Sequence, residues 1–267
     1  MRRPNNYGLK NIMDTKITSE NPYRYGRHGF VWGKVPKGEE AHWDFGCYDA
    51  AFLKSLECKC IRRLVGVDIS QEAINRAHNK FPEIETIHIT KTVPLPFDDG
   101  SFALIAILDV FEHVYEQIEL LKELCRVLDD DGVMIVTVPG KHLFSFLDRG
   151  NFKFYFPKLH KWYYCLKHSE DEYQKRYVSN LDGLVGDVSV EKGFHEHFSR
   201  KKLRNLLNEA GFVVINFDGT GFFSRIIGHI SFFFNKVRFF HSFLQKINEV
   251  DSRLFKSANL FCIVRKE

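Results

Sequence analysis

Short apolar runs alternate with amphipathic segments along most of the chain. The apolar runs, each typical of a buried strand, cover about 41–45, 61–68, 86–90, 102–109, 133–138, 212–218 and 258–265. Segments with apolar residues every three or four positions follow several of them, at about 49–57, 114–128 and 199–210. Ser70 and Ser199 stand where helix N-caps are expected. This alternation predicts an α/β domain with a doubly wound, mostly parallel sheet of seven strands.

Three stretches interrupt the alternation. Residues 1–39 are polar, aromatic and irregular, and we interpret them as an N-terminal arm in front of a single domain at 40–267. The aromatic residues of the arm either close over a ligand or pack on the domain; they are Tyr23, Tyr25, His28, Phe30 and Trp32. Residues 140–195 are aromatic and basic and are predicted to form a cap insertion. A second insertion is predicted at 219–257.

The second insertion carries an amphipathic pattern over 221–244. Its apolar residues recur every three or four positions, namely Phe223, Ile226, Ile227, Ile230, Phe233, Phe234, Val237, Phe240 and Leu244. Basic residues lie among the remaining positions, namely Arg225, Lys236, Arg238 and Lys246, and Phe232, Phe239 and Phe243 widen the apolar side. The pattern predicts a basic amphipathic helix. Such a helix either makes a peripheral contact with an anionic membrane or packs on the sheet or on a second copy of the chain.

Composition and charge narrow the function classes. The formal net charge of +4 is spread over 267 residues without a basic stripe, so a nucleic-acid partner is not expected. The six cysteines are scattered without a C-x-x-C pair, so we expect neither a disulfide framework nor a metal site. No apolar leader follows the N-terminus and no long apolar segment occurs. A cytoplasmic protein is the expectation.

Two strand ends carry the candidate chemistry. The first predicted strand runs into Asp44-Phe45-Gly46-Cys47, a tight turn before a helix. The second strand ends on Asp68. A strand, a glycine turn, a helix and a second strand with a terminal acid form the nucleotide-binding half of a doubly wound domain, where the acid accepts hydrogen bonds from ribose hydroxyls.

Five motifs in this order resemble the class I S-adenosylmethionine-dependent methyltransferases, from about residue 40 to the end of the chain. They are Asp44–Cys47, Gly66–Ser70, the run Leu95–Phe102 with Asp109–Val114, Glu123–Leu128 with Gly132 and Pro139, and Phe198–Leu203 with Ala210–Phe212. The resemblance implies the Rossmann-like methyltransferase fold, S-adenosyl-L-methionine as the cofactor and a small-molecule, glycan or lipid-linked acceptor. It implies a cofactor site formed by Asp44, Gly46, Cys47, Asp68, Ile69 and Asp109.

The chain departs from the family pattern in three places. Tyr48 and Ala50 stand where the later glycines of the first motif are expected. Either the Tyr48 side chain points away from the ligand or the pocket has a different shape. The acid expected after the third strand is replaced within 90–92, and Phe102-Ala103 replaces a common Phe-Asp pair.

Transfer of a methyl group to a hydroxyl requires a base, and histidine is the usual choice near neutral pH. His197 and His113 are the leading candidates, and Glu112 is a third. His195 lies two positions before His197, so only one of the two is expected to face the site. Each histidine has packing or capping as its alternative role. In the cap, hydrogen-bonding and aromatic side chains suit a sugar or an aromatic ring; they are Asp148, Asn151, Lys153, Trp162 and Tyr163.

Two other functions remain open at this stage. Tyr48 and Ala50 favour a methyltransferase-like module that has lost catalysis and serves in binding. The retained Asp68, Glu112 and His113 favour an active enzyme. A nicotinamide dehydrogenase is disfavoured because the first turn lacks the G-x-G-x-x-G spacing. The sequence identifies neither the acceptor atom nor the oligomeric state.

Overall fold

A seven-stranded sheet forms the centre of the computed structural model, which describes residues 21–23, 26–38, 41–179, 196–234 and 237–267. The strands are β1 (Ala41–Phe45), β2 (Arg63–Asp68), β3 (Glu85–His88), β4 (Phe102–Leu108), β5 (Leu128–Pro139), β6 (Phe212–Thr220) and β7 (Asn259–Lys266). Their order is β3-β2-β1-β4-β5-β7-β6. All neighbouring pairs are parallel except those of β7, which runs antiparallel to β5 and β6. The predicted mostly parallel α/β sheet is confirmed.

Helices cover the sheet and make up most of the described residues of both insertions. They are α1 (Gly26–Lys34), α2 (Ala51–Ser55), α3 (Gln71–Lys80), α4 (Gln117–Val127), α5 (Arg149–Tyr155), α6 (Pro157–Cys165), α7 (Glu170–Tyr173), α8 (Arg200–Glu209), α9 (Ser224–Phe234) and α10 (Arg238–Leu254). Both predicted serine caps are present, since the hydroxyls of Ser70 and Ser199 accept hydrogen bonds from Ala73 N and Lys202 N, each at 3.2 Å. Within the described ranges, no helix combines the length and apolar character that a bilayer span needs.

The strand order places a ligand crevice at one edge of the sheet. β1 lies between β2 and β4, so the chain winds outward in opposite directions from this point. In open α/β sheets, ligands bind outside the carboxyl ends of the strands at such a switch point. β4 has no exposed side chain, and Trp43 and Ile105 are fully buried. The strand ends are therefore held by a rigid core.

Helix α1 packs on the domain. The Lys59 ammonium lies 3.9 Å from the centre of the Trp32 ring and donates to Val35 O at 2.6 Å. Trp32 Nε1 donates to Ser55 O at 3.0 Å. The rings of Tyr23 and His28 contact Phe52, and the ring of Phe30 contacts Phe261; Tyr25 lies outside the described residues. These described members of the arm's aromatic group thus follow the packing alternative.

The predicted start of the fifth strand is wrong. The apolar pattern placed the start of this strand at Val133, whereas β5 begins at Leu128. Leu128 pairs with Phe102 on β4, and the register shifts before Leu104 pairs with Val133. This register shift accommodates the acidic residues 129–131 inside the strand. Their polar pattern indicated a turn and could not indicate an extended strand.

The amphipathic segment forms two helices instead of one. α9 ends at Phe234 and α10 begins at Arg238, after Val237 with an extended backbone (φ −93°, ψ 92°). Ile227 and Leu244 are buried on the inner side, while Phe239 and Phe243 on α10 are exposed. The apolar spacing continues through the break, so periodicity alone could not locate it.

His42 on β1 is an acid-sensitive point in the core. It is 2% exposed, and neither ring nitrogen has a hydrogen-bond partner among the residues described. Burial, assisted by the charge of Lys59, lowers its pKa from 6.5 to about 3. The unfolded chain therefore binds this proton at a higher pH than the folded chain.

We expect the free energy of unfolding to fall as the pH falls from 6.5 towards 3, because the unfolded state takes up the His42 proton in this window. Between neutral pH and about pH 4, the loss from this one group is about 3 kcal/mol. Urea unfolding at both pH values measures it. His42→Leu should flatten the dependence, whereas His78→Leu on the exposed face of α3 should not. Equal slopes in His42→Leu and the wild type would contradict this assignment.

Candidate active site

The turn after β1 requires glycine at position 46. Gly46 has φ 79°, and its N–H donates to Val67 O at 2.8 Å. A Cβ atom there would lie 2.3 Å from Val110 Cγ2, on the segment after β4. Cys47 N also donates to Val67 O, at 3.0 Å, and burial raises the pKa of the Cys47 thiol. Gly46 and Cys47 thus present backbone, and not a reactive thiol, at the strand ends.

Tyr48 and Ala50 adopt the left-handed backbone that glycine usually supplies, with φ 49° and 58°. The Tyr48 side chain is 45% exposed, with its hydroxyl 3.5 Å from Arg76 Nη1 on α3. Its N–H donates to Asp68 Oδ2 at 2.9 Å. The turn therefore keeps a glycine-type path although two of its residues are not glycine.

Asp44 and Asp68 lie at the ends of adjacent strands. Asp44 is 3% exposed, and its Oδ1 has no partner within the described part of the chain. Burial, reinforced by the charge of Asp68, raises the pKa of Asp44 to about 8. Asp68 Oδ1 accepts a hydrogen bond from Ser70 N at 2.9 Å. Burial raises the pKa of Asp68, and this effect exceeds the lowering by the backbone hydrogen bonds from Ser70 and Tyr48. Ile69, which follows, is 51% exposed.

Asp109 connects β4 to the N-terminal helix. It has φ 53°, and its Oδ1 accepts from Thr137 Oγ1 at 2.8 Å. Its Oδ2 forms an ion pair with Arg27 on α1. No sequence motif indicates the Arg27 contact, because 82 positions separate the two residues. The Asp109 carboxylate is thus held in place by contacts on both sides.

Glu112 lies in the short turn after β4. It is 1% exposed, and its Oε2 lacks a partner among the described residues. Burial and then the charge of Asp109 raise the pKa of Glu112 well above 4.5. His113 follows, with Nε2 4.0 Å from Glu112 Oε1.

His197 pairs with the cap. Its Nε2 lies 2.8 Å from Asp148 Oδ2, and the side chains of His197 and Asp148 are 10% and 15% exposed. Phe198 N donates to Pro139 O at 2.9 Å, and Lys141 N donates to Phe198 O at 2.8 Å. These bonds hold the return from the insertion at the end of β5. His195 lies outside the described residues.

Arg225 lies inside the site. The sequence assigned it to the polar side of the amphipathic segment, but its side chain is 11% exposed, with Nη2 3.4 Å from Asp148 Oδ2. His142, after β5, belongs to the same cluster, because Arg225 and His197 both lower its pKa in addition to the larger effect of burial. Sequence reasoning missed both residues, since no local motif carries either one.

Other predicted cap residues serve the cap itself. Asn151 is fully buried, and the Lys153 ammonium donates to Tyr177 O. Trp162 is 56% exposed, and the Tyr163 ring packs on His229. Asp148, another member of the predicted set, contacts His197. In the ranges described here, no group of three His, Cys, Asp or Glu side chains is arranged to hold a metal ion.

Comparisons with known proteins agree with this geometry. The methyltransferase domain family model matches residues 43–136, which include the end of β1, all of β2 and β4, and the acids at the ends of these strands. A protein of Mycobacterium tuberculosis named as a probable S-adenosylmethionine-dependent methyltransferase is 26% identical over 140 residues, which are 52% of this chain and 49% of that protein. The chain thus spans about half the length of this curated relative.

Two further similarities involve more of the chain. A ubiquinone/menaquinone biosynthesis C-methyltransferase of Campylobacter jejuni is 25% identical over 172 residues, covering 61% of this chain and 64% of that enzyme. The crystal structure of an S-adenosylmethionine-dependent methyltransferase from Mesorhizobium loti superposes with a TM-score of 0.53 at 14% identity, covering 90% of this chain and 99% of that one. At this identity the structural similarity shows the fold.

Proposed function

We propose that this chain, which belongs to the class I S-adenosylmethionine-dependent methyltransferase family, methylates a hydroxyl oxygen of a small-molecule, glycan or lipid-linked acceptor. The observation that carries the proposal is the arrangement of Asp44, Gly46 and Asp68 at the carboxyl ends of β1 and β2. The cofactor is S-adenosyl-L-methionine.

The residues present fit this cofactor. The unpartnered Oδ1 of Asp44 is a buried acceptor that suits the cofactor's amino group. Gly46 lets the backbone approach closely, since even one Cβ would collide there. Asp68 is fixed by Tyr48 N and Ser70 N and retains lone pairs for the two ribose hydroxyls. Ile69 and Asp109 complete the cofactor site of the proposal.

The protein's contribution is positioning and proton removal. The bound cofactor supplies an already activated methyl group on a sulfonium, so no metal is required. His197 is the proposed base, and Asp148 orients its ring through the 2.8 Å contact. His113 and the buried Glu112 lie at the end of β4, where they would position the acceptor.

The alternative of a module without catalysis loses its main support. That alternative rested on Tyr48 and Ala50, and both residues keep the left-handed backbone of the turn. A carbon acceptor is a second candidate, favoured by the C-methyltransferase name of the Campylobacter relative. A base beside the acceptor can remove a proton during methylation of oxygen or of carbon. The position of His197 therefore does not distinguish an oxygen acceptor from a carbon acceptor.

Transfer of radiolabelled methyl from S-adenosylmethionine tests the proposal. Lipid and aqueous extracts of the source cells would be offered separately as acceptors. His197→Asn should reduce label incorporation by about 10²- to 10⁴-fold, the usual effect of a lost general base. Alkali-resistant label identified as a methyl ether supports the oxygen acceptor, and a ring C-methyl product contradicts it. Equal rates for His197→Asn and the wild type would exclude His197 as the base.

Tyr48→Gly should leave the affinity for S-adenosylmethionine within about threefold of the wild-type value, because glycine adopts the same left-handed backbone. The N–H that Tyr48 donates to Asp68 is retained in the variant. Calorimetric titration measures the affinity. A tenfold or larger change in the dissociation constant would show that the exposed tyrosine ring contributes to the cofactor site.

Peripheral membrane contact through 221–244 is also part of the proposal, with an anionic bilayer as the partner. Phe239 on α10 is 84% exposed, and Phe243 one turn later is 50% exposed. Lys246 follows Phe243 by three positions, so an exposed cation lies beside this apolar surface. Aromatic side chains next to basic ones are typical of helices that lie at a lipid interface.

Co-sedimentation with vesicles tests the membrane contact. Vesicles of mixed phosphatidylcholine and phosphatidylglycerol should retain the protein, and Phe239→Asp should weaken this retention. Lys201→Glu on α8 is the control, since it changes the net charge more while leaving α10 intact. No retention of the wild type, or equal loss in both variants, would contradict docking through α10. A dimer disrupted by Phe239→Asp would instead assign this surface to a second copy.

A further inference from the structure

Three buried polar atoms lie around the His197–Asp148 pair without a hydrogen-bond partner in the described chain. They are Glu112 Oε2, His142 Nε2 and Arg225 Nη1. Arg225 Nη2 lies 3.4 Å from Asp148 Oδ2, and the charge of Asp148 also acts on the pKa values of Glu112 and His142. Unsatisfied polar atoms are rare in protein interiors. A group of them near the carboxyl ends of the strands indicates a place for a ligand.

The unpartnered nitrogen of His142 is a donor. Its Nδ1 accepts a hydrogen bond from Phe144 N at 3.3 Å, so the proton of the neutral ring is on Nε2. Burial and then the charge of Arg225 lower the pKa of His142 to about 4, which keeps the ring neutral near pH 7. The ring therefore offers one N–H to a ligand.

Arg225 offers further donors. Its Nη2 donates to Ala258 O at 3.3 Å and lies near Asp148, whereas Nη1 contacts no described acceptor. A guanidinium carries only donors, and leaving them unsatisfied in a buried place costs about 1–3 kcal/mol or more. The charge of Asp109 also acts on Arg225, so the guanidinium is within electrostatic reach of the end of β4.

The backbone around Arg225 is fixed. Asp251 on α10 accepts hydrogen bonds from Phe222 N and Phe223 N at 3.0 Å, just before α9 begins. The ring of Phe222 lies 5.6 Å from that of His142 and 5.2 Å from that of Phe144. The donors are therefore flanked by an aromatic wall that suits a flat or apolar ligand body.

We propose that Arg225 Nη1 and His142 Nε2 form a subsite for an oxyanion, a carboxylate or a phenolate, carried on an aromatic acceptor. The inference rests on the proposed methyltransferase function, because it identifies the class of acceptor. Asp148 and Asp109 also face Arg225, and an anionic group supplies the oxygen lone pairs that Nη1 and Nε2 lack.

Calorimetric titration with benzoate and benzamide tests the subsite. The two probes have nearly the same shape, but only benzoate carries the oxyanion. The full chain should bind benzoate at least about tenfold more tightly than benzamide, since one hydrogen bond to a charged group is worth about 1.5–3 kcal/mol. Equal affinities, or no binding of either probe, would overturn the proposal.

Variants assign the donors. Arg225→Gln should remove the preference for benzoate, and His142→Phe should reduce it severalfold while keeping an aromatic ring. Arg253→Gln on α10 is the control, because that exposed cation lies outside the cluster. If Arg225→Gln does not fold, Arg225→Lys provides the same test with the charge retained. An unchanged preference in His142→Phe and either Arg225 variant would overturn the assignment. Binding of S-adenosylmethionine without oxyanion preference would contradict this inference but leave the methyltransferase proposal intact.

Discussion

Replacement of Asp68 by alanine is expected to lower the affinity for S-adenosylmethionine by at least about a hundredfold. The carboxylate would accept both ribose hydroxyls, and each hydrogen bond to a charged group contributes about 1.5–3 kcal/mol. The same carboxylate accepts Tyr48 N and Ser70 N, both at 2.9 Å. The substitution therefore removes the ligand contact and also the support of the turn.

Isothermal titration of the variants measures this effect. Asp68→Asn keeps one acceptor oxygen and should lie between Asp68→Ala and the wild type. Asp98→Ala removes an exposed carboxylate away from the strand ends and should have no effect. If Asp68→Ala bound the cofactor within threefold of the wild type, Asp68 would be only a cap for α3.

Gly46→Ala is expected to reduce the free energy of unfolding by about 2–4 kcal/mol, the sum of overpacking and left-handed backbone strain. The new Cβ would lie 2.3 Å from Val110 Cγ2, and the residue has φ 79°. Either the turn or the segment after β4 must move. Urea unfolding measures the stability, and cofactor titration should show a parallel loss of affinity.

Two controls separate overpacking from backbone strain as causes of the lower stability of Gly46→Ala. Gly26→Ala places the same methyl group at φ 83° with no atom within 4 Å, so it should show the backbone strain alone. Combining Gly46→Ala with Val110→Ala removes the colliding methyl group and should cost less than the sum of the single changes. Additive single changes would mean that Val110 does not constrain the turn.

The architecture could be predicted because it depends on local patterns. Runs such as 102–109 contain consecutive apolar residues because a central parallel strand is buried on both faces. Serine caps and the glycine after α8 mark helix ends in the sequence itself. The errors occurred where local patterns carry no information. The bulge that begins β5 and the break between α9 and α10 both depend on packing.

The candidate site could be predicted only in part. Asp44, Gly46 and Asp68 belong to short motifs at strand ends, so the sequence indicates them directly. The contacts of His197 with Asp148 and of Asp109 with Arg27 join residues 49 and 82 positions apart. Arg225 follows an amphipathic pattern that favoured an exposed position. These pairs arise from the two insertions and the N-terminal helix, whose placement no motif encodes.

Tyr48 shows how a sequence departure can leave the geometry intact. Glycine is preferred at positive φ because it has no Cβ, but other residues adopt that conformation where the surroundings fix it. Here the hydrogen bond from Tyr48 N to Asp68 holds the turn. The sequence shows which residue type is missing, but the backbone angle shows that its conformation is retained.

Titration of the unmodified chain with S-adenosylmethionine tests the central claim most directly. Parallel titration with NADH provides the comparison, because both ligands carry a ribose while only the first carries a methylsulfonium and an amino acid. We expect saturable heat with S-adenosylmethionine, lost in Asp68→Ala, and none with NADH. No heat with S-adenosylmethionine, or saturable binding of NADH instead, would contradict it.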